Sequence, residues 1–421
     1  MVTTKSLAVA LLSLTTRVLG QQTCATINPA NPATFASSFS GRVVVNGLSR
    51  PRSIVFDNQG NLLTTENAAY GVRYIQLNDF GGTNVCVKSQ KQLIADSSIN
   101  HGIALTPDGK KLFVSSMTTV WSWDYNGSNG TVSNKKTVIT GMSDSGHVSR
   151  TLLIPKAQPD LLLVQVGSNA NLDTEAAQAS SGRSQIRIFK LADLEQGSQA
   201  YTAGEVLGYG IRNNAGIAET PKGGIFSVNN GMDNMDVNGV DVHLTNPCEE
   251  LNYHGLITAP TTPERGASYG YPTCHAISDP SVLPAPLNAS IRIGDTLTNG
   301  NSSARCTRVA PKLCFPAHTA PLDLKFTADG AAAYVSFHGS WNTSPPNGYR
   351  VSRVAWDAET GMPAANVSGT AAVTDNIMFN ADNANCPGQC FRPVGLAFKE
   401  EGRLFVTSDA TNEIWVVSGA T

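Results

Sequence analysis

Seven side chains suited to holding an anion or moving a proton stand near the heads of a recurring sequence pattern: Arg52, His101, His147, Arg150, Arg212, Asn213 and Arg392. Histidine, with an ordinary pKa near 6.5, is the natural general base at neutral pH. Arginine stays charged when buried and grips carboxylates through paired hydrogen bonds. Arginines gathered at one place repel one another unless an anion sits among them, so the group calls for a carboxylate-rich ligand. A lone histidine at a strand mouth is ordinarily bonded to a nearby carbonyl. The neighbouring arginines are what make His147 a candidate base.

Two other segments carry chemistry. Residues 229–239, followed by Asp241, crowd Asn, Asp and Gly onto one loop that includes Gly231, Met232 and Asp233. Hard oxygen donors and free carbonyls suit calcium, although the spacing is not that of an EF-hand and an Asx-rich turn is the plain alternative. The second segment runs from His338 through Trp341 and Asn342 to Arg350. An indole there could stack on a flat ring or a sugar face, the plain alternative being a surface loop around a buried Trp. Asn342 opens a glycosylation sequon, but a glycan there would block the pocket, so this one is expected to stay unmodified.

These residues need elements that bring them together. Six segments, headed by Arg52, His101, His147, Arg212, Pro321 and Arg392, each read as apolar alternation, a Gly or Asp turn and a second apolar strand. Strand, turn and strand recurring along a chain signals a β-propeller, one sheet per blade, so the fold class is all-β with six blades. The turns carry Asp-Asn-Gln-Gly, Pro-Asp-Gly and Ala-Asp-Gly, which is hairpin chemistry. Innermost strands converge on the axis, so the head residues should share one pocket. Residues 21–41 read as an extended lead-in, and a strand near Glu413 to Val417 should close the ring against the N-terminal segment. Helical periodicity shows only over residues 191–196. The stretch from Arg212 to Pro321 is over twice the roughly 40–50 residues of a blade. Residues 245–320 therefore read as one long, disulfide-stapled loop on the active-site face, and such loops are usually lids or binding walls.

The 421 residues, 41% of them hydrophobic, suffice for one large core, and residues 21–421 read as a single propeller domain. A net charge of −2 argues against nucleic acid or an anionic membrane as partner. Lys5, the apolar run of residues 7–14 and Leu19-Gly20 read as a secretory signal over residues 1–20. The run is too short to span a bilayer. Sequons at Asn126, Asn129, Asn288, Asn301, Asn342 and Asn366, with 8 cysteines, fit a secreted, glycosylated and disulfide-bonded monomer. Cys306 with Cys314, and Cys386 with Cys390, are close enough to close small loops; pairing of Cys24, Cys86, Cys248 and Cys274 stays open. No Gly-X-Ser-X-Gly elbow, complete dinucleotide fingerprint, phosphate loop or haem-attachment motif is present.

Taken in order, Arg50-Pro51-Arg52, His147 with Arg150, Gly210 to Asn213 with Gly216, Asn230 to Asp233, Glu250 with Asn252, Tyr269 to Pro272, His338 to Asn342 and Arg392 to Gly395 resemble the soluble quinoprotein sugar dehydrogenases. Within the sorbosone/glucose dehydrogenase superfamily they are most similar to the fungal secreted pyranose dehydrogenases. The resemblance implies pyrroloquinoline quinone (PQQ) on the axis of a six-bladed propeller, with calcium beneath it. It implies that His147 takes the proton from the sugar C1 hydroxyl as hydride passes to the quinone. Arg212 and Asn213 would polarise the quinone C5 carbonyl, and Gly231, Met232 and Asp233 would hold calcium. Arg52, Arg150, His338, Trp341, Asn342, Arg350 and Arg392 would be further cofactor contacts. The lysine and paired arginines of the bacterial glucose enzymes are replaced by Arg350 and a lone Arg392. Without a cytochrome or cellulose-binding module, electrons would leave to an external acceptor, a cytochrome or a secreted copper oxygenase. Two rival functions remain at this stage: a calcium-dependent lactonase-type hydrolase, and a secreted binding propeller without catalysis.

Overall fold

The computed structural model describes residues 23–399 and 402–419, so the expected signal segment lies outside the described residues. Six sheets, each with four antiparallel strands and two of them with a parallel strand added at the outer edge, stand around one axis, as the six copies require. Their innermost strands are Pro51–Phe56, Ile99–Leu105, Leu152–Leu153, Asn213–Glu219, Pro321–Phe326 and Pro393–Lys399, in blades 1 to 6. Each runs from the end of the axis bearing the cationic heads toward the opposite end, and the second strand of each blade returns to the first end. The loops between second and third strands therefore surround the same mouth as the heads.

Local chemistry explains the hairpins. In blade 1 the Asp57 carboxylate accepts from the amides of Gln59 and Asn61, at 2.9 and 2.8 Å, and Gly60 takes φ +76°, where a Cβ would be strained. Apolar residues alternate along the strands, and each of the six seams between neighbouring blades is filled by its own cluster. The seam of blades 4 and 5, for example, packs Phe226, Phe315, Phe337 and Trp356 edge to face.

Near the axis the backbones approach closely. A Cβ at Gly102 would lie 2.0 Å from the carbonyl oxygen of Arg150, so only glycine fits there. Pairing between first and second strands is irregular at the head in five blades, between Pro51 and Ile54, Ile99 and Ile103, Asn213 and Gly216, Pro321 and Asp323, and Pro393 and Leu396. Such bulges re-aim side chains, and here they fall among Arg52, His101 and the residues after Asn213. Below the heads the inner strands enclose an axial cavity of about 790 Å³, which reaches from His101 to Thr220 and Thr327.

Ring closure follows the expectation: Ser40–Val45 pairs antiparallel with Glu413–Ser418, so blade 6 combines both ends of the chain. The short helix at Leu191–Gln196 is also where the periodicity places it. Two readings need correction. Residues 245–320 are not one loop, because they contain the third and fourth strands of blade 4, Glu249–Leu256 and Leu313–Phe315. The insertion is residues 257–312, which build a small core of Ile277, Leu283, Ile291 and Leu297 with Met232 and Val242. Secondly, Cys306 pairs with Cys274 and Cys314 with Cys248, rather than with each other. Residues close in sequence but lying on a hairpin and on a blade strand point to different partners. Cys386–Cys390 forms as expected, and Cys24–Cys86 ties the lead-in to blade 1.

Candidate functional site

His147 lies in the loop entering blade 3, half buried. Its Nδ1 is 2.8 Å from the Ser168 hydroxyl, and that hydroxyl donates its one proton to the Ala170 carbonyl at 2.7 Å. Ser168 can therefore only accept from the ring. The Nδ1 of His147 carries the proton, and Nε2 keeps the lone pair. Burial first, then the neighbouring Arg212, pushes its pKa down to about 3, so the imidazole is neutral. A neutral ring with a free Nε2 lone pair is what a general base requires.

Arg212 and Asn213 sit where blade 4 begins. The Arg212 guanidinium is nearly buried and donates to the Gly231 carbonyl at 2.7 Å, the Asp233 carboxylate at 2.7 Å and the carbonyl and side chain of Asn171. Asn213 donates to Asn230 at 3.0 Å, while its own Oδ1 is buried without a partner. An orphaned acceptor beside a charged guanidinium marks a place built for something further. The Met232 side chain belongs to the small insertion core, so only its backbone could serve a metal. The Glu249 carboxylate lies directly behind this loop, taking the Gly231 amide at 2.7 Å, and burial pushes its pKa up to about 8.

On the other side of the mouth, Arg52 donates to His101 Nδ1 at 3.3 Å and to the Asp409 carboxylate at 2.7 Å. The second oxygen of Asp409 takes His338 Nε2 at 2.8 Å. Arg392 completes the group by donating to the carbonyls of His338 and Gly339 at 3.0 and 2.8 Å. Burial alone would raise the Asp409 pKa, but His338 and Arg52 together hold it well below the usual carboxylate range.

Three expected ligand contacts sit differently. Arg150 is completely buried, donating to the carbonyls of Met117, Ser143, His147 and Ser149, so it braces the His147 loop from beneath. Arg350 lies against the Phe337 ring in the seam of blades 4 and 5, its Nε buried without a partner. Burial lowers its pKa to about 10, and no charge of the cluster contributes. Trp341 is 75% exposed, which removes the buried-Trp alternative, and Asn342 beside it is half buried. The structure thus brings together Arg52, His101, His147, Arg212, Asn213, His338 and Arg392, and sets Arg150 and Arg350 apart. The sequence reading missed Asp409, Glu249 and Asn171. Asp409 stands at a second-strand end, the same register as Asn230 and His338, and that register was the available signal.

PQQ carries three carboxylates on a flat quinone. The cationic side chains around the mouth and the neutral His147 fit such a group, whereas the unpartnered Asn213 Oδ1, an acceptor, would suit a donor or a cation rather than a carboxylate. Calcium takes oxygen ligands, and the Gly231 carbonyl and Asp233 carboxylate are of that kind, although both now accept from Arg212. The described residues hold no group of three or more His, Cys, Asp or Glu side chains arranged for a metal, so any calcium here would rely largely on carbonyls and ligand atoms.

The TrAA12-like family matches residues 33–420. A pyrroloquinoline quinone-dependent sugar dehydrogenase of Hypocrea jecorina is 40% identical over 94% of this chain and 92% of its own length. A pyrroloquinoline quinone-dependent pyranose dehydrogenase of Coprinopsis cinerea is 36% identical over 92% of this chain, which spans 55% of that longer protein. Among solved structures, the calcium structure of the Trichoderma reesei family AA12 enzyme superposes with a TM-score of 0.89 at 38% identity, covering 94% of this chain and 100% of that one. The holo PQQ domain of the Coprinopsis cinerea pyranose dehydrogenase gives 0.87 at 35% identity, covering 94% and 99%. With nearly its whole length matched by the family and by relatives of this similarity, the chain belongs to the TrAA12-like family.

Proposed function

We propose that this protein is a PQQ-dependent sugar dehydrogenase that oxidises C1 of aldoses or ketoaldoses, requires calcium and passes electrons to an external acceptor. The observation that carries the reading is the fixed tautomer of His147, with its free Nε2 on the same mouth as Arg212 and Asn213. Bound PQQ supplies a two-electron acceptor for the hydride. His147 Nε2 accepts the proton of the C1 hydroxyl, and Ser168 keeps the ring oriented while it does so. Arg212 and Asn213 present donors where negative charge develops, and the buried setting strengthens them. Gly231, Met232 and Asp233 would hold calcium through their oxygens. Secretion is supported by four disulfides without a free cysteine among the described residues, and by exposed sequons at Asn126, Asn129, Asn288, Asn301 and Asn366. No helix among the described residues is long and apolar enough to cross a membrane.

The test is the absorption spectrum of purified protein titrated with PQQ and calcium, before and after sugar. Stoichiometric uptake followed by loss of the oxidised quinone band supports the reading. Equal sugar turnover without PQQ, or lactone hydrolysis with calcium alone, overturns it.

A further inference from the structure

Asp409 is 5% exposed and occupies the turn after the second strand of blade 6, Arg403–Ser408. Its two oxygens accept from different blades: the Arg52 guanidinium of blade 1 at 2.7 Å and the neutral His338 imidazole of blade 5 at 2.8 Å. Asp409 therefore links the two blades that flank it, across the blade that closes the ring. It also fixes proton positions. His338 donates from Nε2, which leaves its Nδ1 as acceptor, and Arg52 donates to Nδ1 of His101, which leaves that ring's proton on Nε2. Arg392 differs from Arg52. Its side-chain bonds run to neutral carbonyls, and no carboxylate among the described residues pairs with it.

We propose that Asp409 is a positioning residue and the resident counter-ion of the cluster: it engages Arg52 and His338, and leaves the charge of Arg392 for a ligand carboxylate. The proposal deepens the PQQ reading and rests on it for the identity of the ligand. It distinguishes arginines that the sequence places on an equal footing. Arg52 belongs to the frame of the site, and Arg392 is the anion receptor.

Linkage gives a test that a merely structural role would not pass. In Asp409→Asn, Arg52 loses its charge partner and His338 its carboxylate acceptor in the free protein, whereas an anionic ligand restores part of the charge balance. The free variant melts lower than the wild type, and saturating PQQ raises its melting temperature by more than it raises that of the wild type. An equal rise in both proteins overturns the proposal. A second arm covers poor folding of that variant. The pair variant Arg52→Met/Asp409→Asn, which removes both charges together, keeps PQQ affinity within about fivefold of wild type. Arg392→Met weakens it about 10- to 100-fold, the size of a lost charged hydrogen bond. Similar losses in both would place Arg52 on the ligand and overturn the assignment. A third readout needs no ligand. Imidazole ¹⁵N shifts in the wild type place the His338 proton on Nε2, and the Asp409→Asn variant no longer fixes it there; an unchanged tautomer overturns the proposal. If wild-type protein takes up no PQQ, the functional reading fails, while the imidazole shifts still decide the role of Asp409.

Discussion

Two histidines face the same mouth from opposite sides, and their surroundings differ in one respect. His338 is hydrogen-bonded to a carboxylate, whereas His147 has a hydroxyl for a partner and Arg212 for a charged neighbour. Both are pushed to low pKa by burial, yet Asp409 counteracts this at His338, and at His147 only a carbonyl contact does. The side without a carboxylate on its histidine suits chemistry. There the imidazole is neutral at any ordinary pH, its lone pair is on Nε2, and a proton can arrive together with negative charge on a ligand near Arg212. The paired side suits binding, because its charges are already arranged.

The sharpest way to break this division is His147→Ala. It should lower the rate of sugar oxidation by about two to four orders of magnitude, the usual size of a general-base contribution, and leave PQQ uptake intact. A near-normal rate would move the base across the mouth to His338. Arg212→Ala comes next, with a loss of roughly two to three orders of magnitude in the reduction step and a smaller loss in uptake. Stopped-flow absorbance separates the two. If uptake vanishes and the residual complex reduces normally, Arg212 is a carboxylate clamp and the two sides do not differ as argued.

Acid sharpens the comparison with a smaller effect. The folded protein holds His147 and His254 near pKa 3 and His275 near 4, burial being the first cause in each, while the unfolded chain protonates them near 6.5. Between those limits the unfolded state binds more protons. Stability from these groups is therefore complete above about pH 6.5 and is lost as pH falls toward 3 to 4. The melting temperature of the ligand-free protein should drop across that window. His147→Ala should drop less steeply, by about one proton or roughly 1.4 kcal/mol per pH unit. Equal slopes would mean that His147 protonates in the fold as easily as in the open chain.

How far the sequence led follows from the kind of information each feature needs. Blade count, closure at Glu413–Ser418 and the convergence of Arg52, His101 and Arg212 depend on periodicity and strand direction, which are local. The disulfide of Cys248 with Cys314 depends on register between strands 66 residues apart, which no spacing rule reaches. Arg150 looked like its fellow arginines because side-chain type does not say whether carbonyls will surround it. Asp409 escaped notice because an Asp in a turn between two strands ordinarily does turn chemistry. Its partners lie 357 and 71 residues away and meet it only when the ring closes.

The rim gives the smallest effect and a separate check on which side meets the sugar. Trp341 is 75% exposed, yet its loop is not loose: the Ser340 amide donates to the Asn347 carbonyl at 2.8 Å, the Tyr349 hydroxyl donates to the Ser340 carbonyl, and Arg392 holds the Gly339 carbonyl. An indole on a braced loop is preorganised, so stacking on it costs little ordering. Because the ring is largely exposed whereas Arg52, His338 and Arg392 are half buried, it should meet the sugar and not the flat cofactor. Trp341→Ala should leave stability within about 0.5 kcal/mol, as expected for an exposed side chain. PQQ affinity should not change, and the sugar KM should rise about three- to tenfold at constant kcat, in line with a stacking contribution of roughly 0.5–1.5 kcal/mol. A loss of PQQ affinity with an unchanged KM would put the indole on the cofactor instead, and the paired side of the mouth would then extend out to the rim.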